Sequence, residues 1–378
     1  MLKSFFSLCD KVISNFNIFK SIIHLRKIKP KYLFFSENIN YQKYSYLIIE
    51  TLVKKYPKEV YYVSSDINDK IDNLDVENIF IGKGLLMNIF FLIIRAQYMF
   101  LTLTDLNNHV VKKTNNVDKY IYYFHAPVST TKAYTATAFD NYDIILCNGD
   151  YHLDEIRKRE SIKKIKKKKL IKTGYFYFDY INNKKNIQTE ANEILIAPSW
   201  NYNQKNFVNE NLEEIIQSVL DKGYIVKFRP HPESFKRSML TINSFREKFS
   251  NQKFLLDETT ENINSMLNAK CLITDSSGIA IEFVLLFKRP ALYFEGNDKI
   301  HNVEFNHYND LVTMDQKVKE RFGYTFKKES IKDLDLLINK SISEFVNKDI
   351  QIKDFIDSNF YNYGNTVSNF NDLITKDF

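Results

Sequence analysis

Cysteine, glycine, proline and tryptophan are all scarce in this chain, and no long apolar run occurs in it. Only three cysteines are present, Cys9, Cys147 and Cys271, far apart in 378 residues. Their spacing matches no metal motif. An odd, sparse count excludes a disulfide framework and fits a reducing cytoplasm. Cys147 and Cys271 sit in apolar, strand-like runs and read as small core residues. Nine glycines, seven prolines and one tryptophan stand against 31 phenylalanines and 24 tyrosines. Together with abundant Lys, Asn and Ile, this reads as coding bias, not chemistry. The most apolar stretch, residues 85–103, is interrupted by Arg95 and Gln97. A central arginine costs about 2.5–3.5 kcal/mol on membrane insertion. A helix over 85–95 and a buried strand over 97–103 are expected instead of a membrane span. Residues 1–20 spread their apolar positions at helical spacing, unlike the continuous apolar stretch of a signal peptide. No cluster of neighbouring carboxylates suits Mg²⁺, so no metal and no cofactor is expected. No repeat at solenoid periods is visible.

What is present is a soluble-type composition, 44% hydrophobic and 26% charged, in a chain long enough for two domains. The net charge of +7 fits an acidic partner such as a nucleotide or anionic lipid. Short apolar strands alternate with helical stretches, the βαβ rhythm of a parallel sheet. Strands are expected at 31–36, 59–65, 78–82, 97–103, 119–126 and 142–148. A polar, aperiodic linker follows at 181–192, and a second series starts at 193–199, 224–230, 253–258, 270–274 and 289–295. The expected fold class is α/β: two doubly wound Rossmann-type domains facing a central cleft. The expected division is an N-terminal helix over 1–30, a first domain over 31–181, a second over 193–328, and C-terminal helices over 329–378.

Three motifs carry the candidate chemistry. In KFRPHPES, residues 227–234, two prolines flank His231. Each fixes its own φ and drives the residue before it extended, so Arg229 and His231 are held with little freedom. In CLITDSSGIAIEF, residues 271–283, a strand ends at Thr274 and a helix begins after Asp275, Ser276, Ser277 and Gly278. A helix start offers free N–H groups and a positive dipole end to an anion. Simple N-capping by Asp or Ser is the bland alternative. Three strand tips, Pro198-Ser199-Trp200, Arg229-Pro230-His231-Pro232 and Thr274-Asp275-Ser276-Ser277, fall at the carboxyl edge where doubly wound sheets bind ligands. Glu282, one turn in, either reaches a ribose hydroxyl or is a solvated surface residue. In the first half, His125 ends a strand before Pro127 and is a candidate catalytic group, with Ser129, Thr130 and Thr131 behind it; His152 reads as a surface residue.

FHAPVST, FRPHP and TDSSGIAIEFVLLFKRPALYF, in that order, resemble the CDP-glycerol glycerophosphotransferase family of teichoic-acid primases and polymerases. The resemblance covers roughly residues 120–310. It implies a GT-B fold, no metal, and transfer of glycerol phosphate from CDP-glycerol to a hydroxyl of a lipid-linked acceptor. By the same resemblance His125 and His231 are the essential histidines, and Ser276 and Ser277 hold the pyrophosphate. The first motif reads His-Ala-Pro where the wall-polymer enzymes favour His-Gly-Thr. The implied reaction is in-line attack on the β-phosphorus with loss of CMP. His125 suits the base, and Arg229, His231 and the helix start suit charge stabilisation.

Residues 1–31 place Leu2, Phe5, Phe6, Leu8, Val12, Ile13, Phe16, Phe19, Ile22 and Ile23 at near-helical spacing, interspersed with Lys3, Lys11, Lys20, Arg26, Lys27, Lys29 and Lys31. This fits either an interfacial helix on anionic lipid or a helix packed on the first domain. The implied location is the inner face of the cell membrane. The basic run 157–169 reads as a solvated helix face. Two other functions compete. A GT-B glycosyltransferase using a CMP- or UDP-sugar would need the same cradle. A nucleic-acid-binding protein would use the basic run, but that run lacks interleaved aromatics and no nucleic-acid module is recognisable, so no nucleic-acid partner is expected.

Overall fold

The computed structural model describes residues 2–108, 111–184, 191–200, 211–296 and 299–377, with side chains described between 15 and 374. The chain divides into two compact units. One comprises Met1–His125, Tyr134–Tyr180 and Tyr361–Phe378; the other comprises Ala126–Ala133 and Ile181–Phe360.

The first unit holds seven strands: β1 Tyr32–Ser36, β2 Val60–Ser64, β3 Glu77–Phe80, β4 Ala96–Leu101, β5 Val117–Tyr123, β6 Ile144–Cys147 and β7 Lys169–Lys172. They run parallel in the order β3-β2-β1-β4-β5-β6-β7. β1 and β6 are buried along their whole length, as expected of strands covered by helices on both faces. The arginine-broken stretch resolves as a helix, Leu85–Ile93, feeding β4. Among the described residues no helix is long and apolar enough to cross a membrane. Tyrosine does much of the work that leucine does elsewhere: Tyr32, Tyr62, Tyr120 and Tyr122 are among the largest fully buried side chains. Their hydroxyls need partners. Tyr62, for example, donates to buried Asp69 at 2.8 Å.

The N-terminal helix runs Leu2–Ile28. Ile22 and Leu25 are buried, while Phe16 and Phe19 are exposed. The expected apolar positions from Leu2 to Ile13 lie outside the described side chains. The C-terminal segment returns to this unit, where Asp179 accepts N–H groups from Gly364 at 3.0 Å and Thr366 at 2.8 Å. His152, expected at the surface, is fully buried and stacks on Phe124 with ring centroids 3.7 Å apart. Its helix also buries Glu155 and Glu160, and these charges on the inward face hide the apolar period. The basic run is likewise only partly solvated. It crosses from the end of that helix into β7, and Lys168 is buried against Glu160.

The second unit holds β8 Glu193–Ile196, β9 Ile225–Phe228, β10 Phe254–Leu256, β11 Ala269–Thr274, β12 Ala291–Phe294 and β13 Gly323–Phe326. All are parallel, in the order β10-β9-β8-β11-β12-β13. In both sheets the chain starts near the middle, builds out one way, then returns and builds out the other. This is the doubly wound arrangement, with switch points at β1/β4 and β8/β11. The helix Ile279–Phe287 is apolar almost all round and is buried from Ala280 to Phe287. Cys147 and Cys271 are both buried core residues, and burial pushes both thiols well above their ordinary pKa. The tail of the expected linker, 181–184, ends the helix Phe176–Lys184; residues 185–190 lie outside the described set.

Candidate functional site

The β8/β11 switch point is where an open parallel sheet leaves a crevice beyond its strand ends. Register brings the expected tips together there. Ile196 of β8 lies beside Phe228 of β9 and Ile273 of β11, so all three strands finish at one edge.

The tips are tied to each other. Fully buried Thr274 donates its hydroxyl to Ala197 O at 2.7 Å. Asp275 accepts the Ser199 N–H at 2.8 Å and the Ser199 hydroxyl at 2.6 Å. Thr274, Asp275 and Ser199 thus hold β8 to β11 and shape the rim. The helix beyond begins at Gly278, in helical conformation, with no side chain capping it. Capping by Asp275 or Ser277, the bland alternative, is therefore not what these residues do. The Ser276 and Ser277 side chains are half-buried and make no hydrogen bond among the described residues. Gly278 is needed for space, not for conformation. A Cβ there would lie 3.1 Å from Val128 Cγ1 and 3.5 Å from Ala126 Cβ. The segment following His125 thus packs on the helix start within the second unit. Ser129 belongs to the same packing, accepting the Met314 N–H at 2.8 Å; Thr130 and Thr131 are buried in a short helix, Thr130–Ala133.

Glu282 is 3% exposed, not solvated. Asn262 donates to it at 3.3 Å.

The prolines of KFRPHPES act as expected on His231, which is extended at φ −61°, ψ 143°. Pro232 opens the helix Pro232–Arg237, and His231 is its N-cap: Nδ1 accepts the Glu233 N–H at 3.2 Å. A nitrogen that accepts carries no proton. With Nδ1 accepting, Nε2 is the ring nitrogen that carries the proton in this arrangement. Arg229 turns elsewhere. Its guanidinium meets Asp257 Oδ2 at 2.5 Å, Thr259 Oγ1 at 3.2 Å, Thr259 O at 2.9 Å and Glu261 O at 3.3 Å. Burial alone would raise the Asp257 pKa; Arg229 and hydrogen bonds from Ser265 and Thr259 outweigh it and hold the carboxyl below its ordinary value. Arg229 thus fixes the loop after β10 and, with it, the path of its own strand tip.

In the first unit His125 lies just past β5, ringed by tyrosines. Centroids are 5.3 Å from Tyr41, 6.1 Å from Tyr44 and 6.1 Å from Tyr134. Its Nδ1 is buried without a hydrogen bond among the described residues. Burial pulls its pKa down to about 4, so the ring is neutral across the physiological range.

Sequence reasoning placed Trp200 at the rim without a role and missed the groups gathered around it. Trp200, the single tryptophan, follows Ser199. Around its ring sit His231 at 5.9 Å, His301 at 5.5 Å, Arg237 at 5.2 Å and Lys299 at 5.0 Å. A lone Trp at the end of a strand that reaches the switch point was the available signal. Lys299 and His301 come from the loop after β12 and carry no local motif. Among the described residues no group of three or more His, Cys, Asp or Glu could hold a metal ion.

Residues 18–314 match the sequence model of CDP-glycerol:poly(glycerophosphate) glycerophosphotransferase. No curated sequence matches the chain. Among solved structures, the wall teichoic acid polymerase TagF is similar at TM-score 0.58 and 17% identity, over 100% of this chain and 98% of that one. The UDP-GlcNAc 2-epimerase of Methanocaldococcus jannaschii aligns at TM-score 0.54 and 14% identity, over 92% and 99%. The Neisseria meningitidis epimerase aligns at 0.57 and 11%, over 92% and 100%. At these identities the structures speak to fold, and the fold is GT-B-like.

Proposed function

We propose, from the premise that this chain belongs to the CDP-glycerol:poly(glycerophosphate) glycerophosphotransferase family, matched over residues 18–314, a specific transfer. Glycerol phosphate, or a related alditol phosphate, moves from a CDP-activated donor to a hydroxyl of a lipid-linked or surface-polysaccharide acceptor. The acceptor oxygen bonds to the donor β-phosphorus. The bond from that phosphorus to the bridging oxygen breaks, and CMP leaves with that oxygen.

The observation that carries the reading is the second unit's rim. One sheet edge presents the Ser276 and Ser277 hydroxyls at an uncapped helix start and, two strands away, a histidine locked by its own backbone. Phosphoryl transfer asks the protein mainly for positioning and charge stabilisation. Ser276, Ser277 and the N–H groups from Gly278 onward bind the diphosphate oxygens. His231 offers Nε2–H to a phosphoryl oxygen, and the Glu233 N–H keeps it from rotating. Arg229, clamped on Asp257, positions His231 through Pro230 and makes no donor contact of its own. Thr274, Asp275, Ser199 and Gly278 hold the rim's shape. Buried Glu282 supports the helix from behind, through Asn262. His125, neutral and with an unpaired Nδ1, is the acceptor-side base. The second unit serves the donor and the first the acceptor. The exposed Phe16 and Phe19, with Lys20 over the Phe16 ring, serve contact with the inner membrane face.

The test is donor choice. Purified protein with a membrane extract as acceptor source is given CDP-glycerol, CDP-ribitol, CMP-sugars and UDP-sugars in parallel. CMP release from a CDP-alditol supports the reading. Turnover of a nucleotide sugar alone would move the protein to the glycosyltransferases.

A further inference from the structure

The arrangement around Trp200 goes beyond a shape-holding rim. Trp200 is half-buried, and four nitrogen-bearing side chains from two separate segments converge on its ring. Arg237 and Lys299 lie within cation–π range of the indole. The loop carrying Lys299 is pinned, because the His301 N–H donates to Lys132 O at 3.0 Å. Among the described residues, two carboxylates, Glu233 and Asp275, interact with these cations. Glu233 pairs with Arg237 at 3.5 Å and with Lys236 at 2.6 Å. Asp275, the one that acts on Lys299, already spends both oxygens on Ser199. Burial pulls the Lys299 ammonium down to about 8, and the opposing pull of Asp275 does not restore it. Such an ammonium gains most from a further anion. An indole face flanked by cations, half open to solvent and next to the Ser276–Ser277 helix start, matches one ligand chemistry: a doubly phosphorylated group carried by a flat or polyol body.

We infer that Trp200, Lys299 and Arg237 form an anion subsite that binds the diphosphate of a nucleoside diphosphate donor, with the indole as its floor. The inference rests on the donor-binding role given to the second unit. Arg237 and Lys299 are binding residues here. Trp200 holds them at a fixed spacing and packs against the ligand.

The chain's single tryptophan makes the subsite its own reporter. Emission is followed while CDP, inorganic pyrophosphate, UDP or phosphate-free cytidine is titrated into the full-length protein. CDP and pyrophosphate should change Trp200 emission saturably; cytidine should not. Lys299→Gln and Arg237→Gln should each weaken both responses about tenfold, the size expected for one charge-assisted hydrogen bond. Arg237 is exposed, so R237Q tests the subsite even if K299Q disturbs its loop. Emission indifferent to CDP and pyrophosphate in a protein that turns over CDP-glycerol would overturn the subsite and leave the function standing. So would both variants binding CDP as tightly as wild type. A K299Q-sensitive response to UDP, with no turnover of any CDP-alditol, would keep the subsite and remove the alditol-phosphate reading.

Discussion

Replacing Arg229 by alanine separates two roles that look alike in sequence. The Arg229 side chain is 10% exposed and its partner Asp257 2% exposed. Asp257 also accepts the Thr259 N–H at 2.9 Å, the Thr259 hydroxyl at 2.6 Å and the Ser265 hydroxyl. R229A leaves that carboxylate buried without its countercharge, and frees Thr259 O and Glu261 O from their donor. Breaking a buried pair on one side costs about 3–5 kcal/mol. The second unit's transition in urea should move down by that amount, with the first unit's transition unchanged. The pH dependence should change sign as well. In wild type Asp257 has a folded pKa below its ordinary 3.8, so its contribution is present above that value and is lost as pH falls through the folded pKa. In R229A burial dominates and raises the folded pKa above the unfolded one. The variant should then be most stable in acid and lose stability as pH rises through the raised value. Arg229→Lys keeps the charge but not the fork and should fall between. The assay is urea unfolding by far-ultraviolet circular dichroism at pH 4, 6 and 8, with CMP release measured on the folded protein. Unchanged stability with a large rise in donor KM would refute the clamp and make Arg229 a direct donor ligand.

Three further outcomes follow from the same geometry. His125→Ala should lower kcat by about 10²–10⁴-fold with little effect on donor binding. Because the wild-type ring is neutral down to about 4, kcat/KM between pH 5 and 7 should show no limb that this substitution removes. Asp275→Ala strands the N–H and hydroxyl of buried Ser199 and should cost about 1–3 kcal/mol, read by thermal unfolding together with a shift in Trp200 emission. Donor KM should rise as pH passes about 8, where Lys299 loses its proton facing Asp275, Trp200, His301 and Arg237. Lys299→Arg should flatten that rise, because a guanidinium stays charged.

The strand series was legible because parallel, doubly covered strands read as short apolar runs, and both sheets keep the winding order such runs suggest. The rim was legible for the same reason: prolines and a Ser-Ser-Gly turn punctuate strand ends. Partnership was not legible. Arg229 looked like a ligand because its countercharge, Asp257, is 28 positions away on the next strand's tip. His152 looked solvated, and Glu282 looked either solvated or ribose-binding, because polar residues on helices usually face out. Only the packing of the sheets, with Phe124 under one and Asn262 beside the other, shows them buried. Lys299 and His301 could not be found by motif, since only the β12 register brings their loop to Trp200.

In the proposed reaction His231, locked by its own helix start, stabilises the charge on the phosphoryl group in transfer. The direct measurement is ³¹P NMR of wild type and His231→Ala, each with CDP-glycerol and acceptor. Wild type should convert the diphosphate signals to CMP and a new phosphodiester. The folded variant should leave the diphosphate intact while CDP still changes Trp200 emission. A new phosphodiester formed at the wild-type rate by the variant would contradict the account.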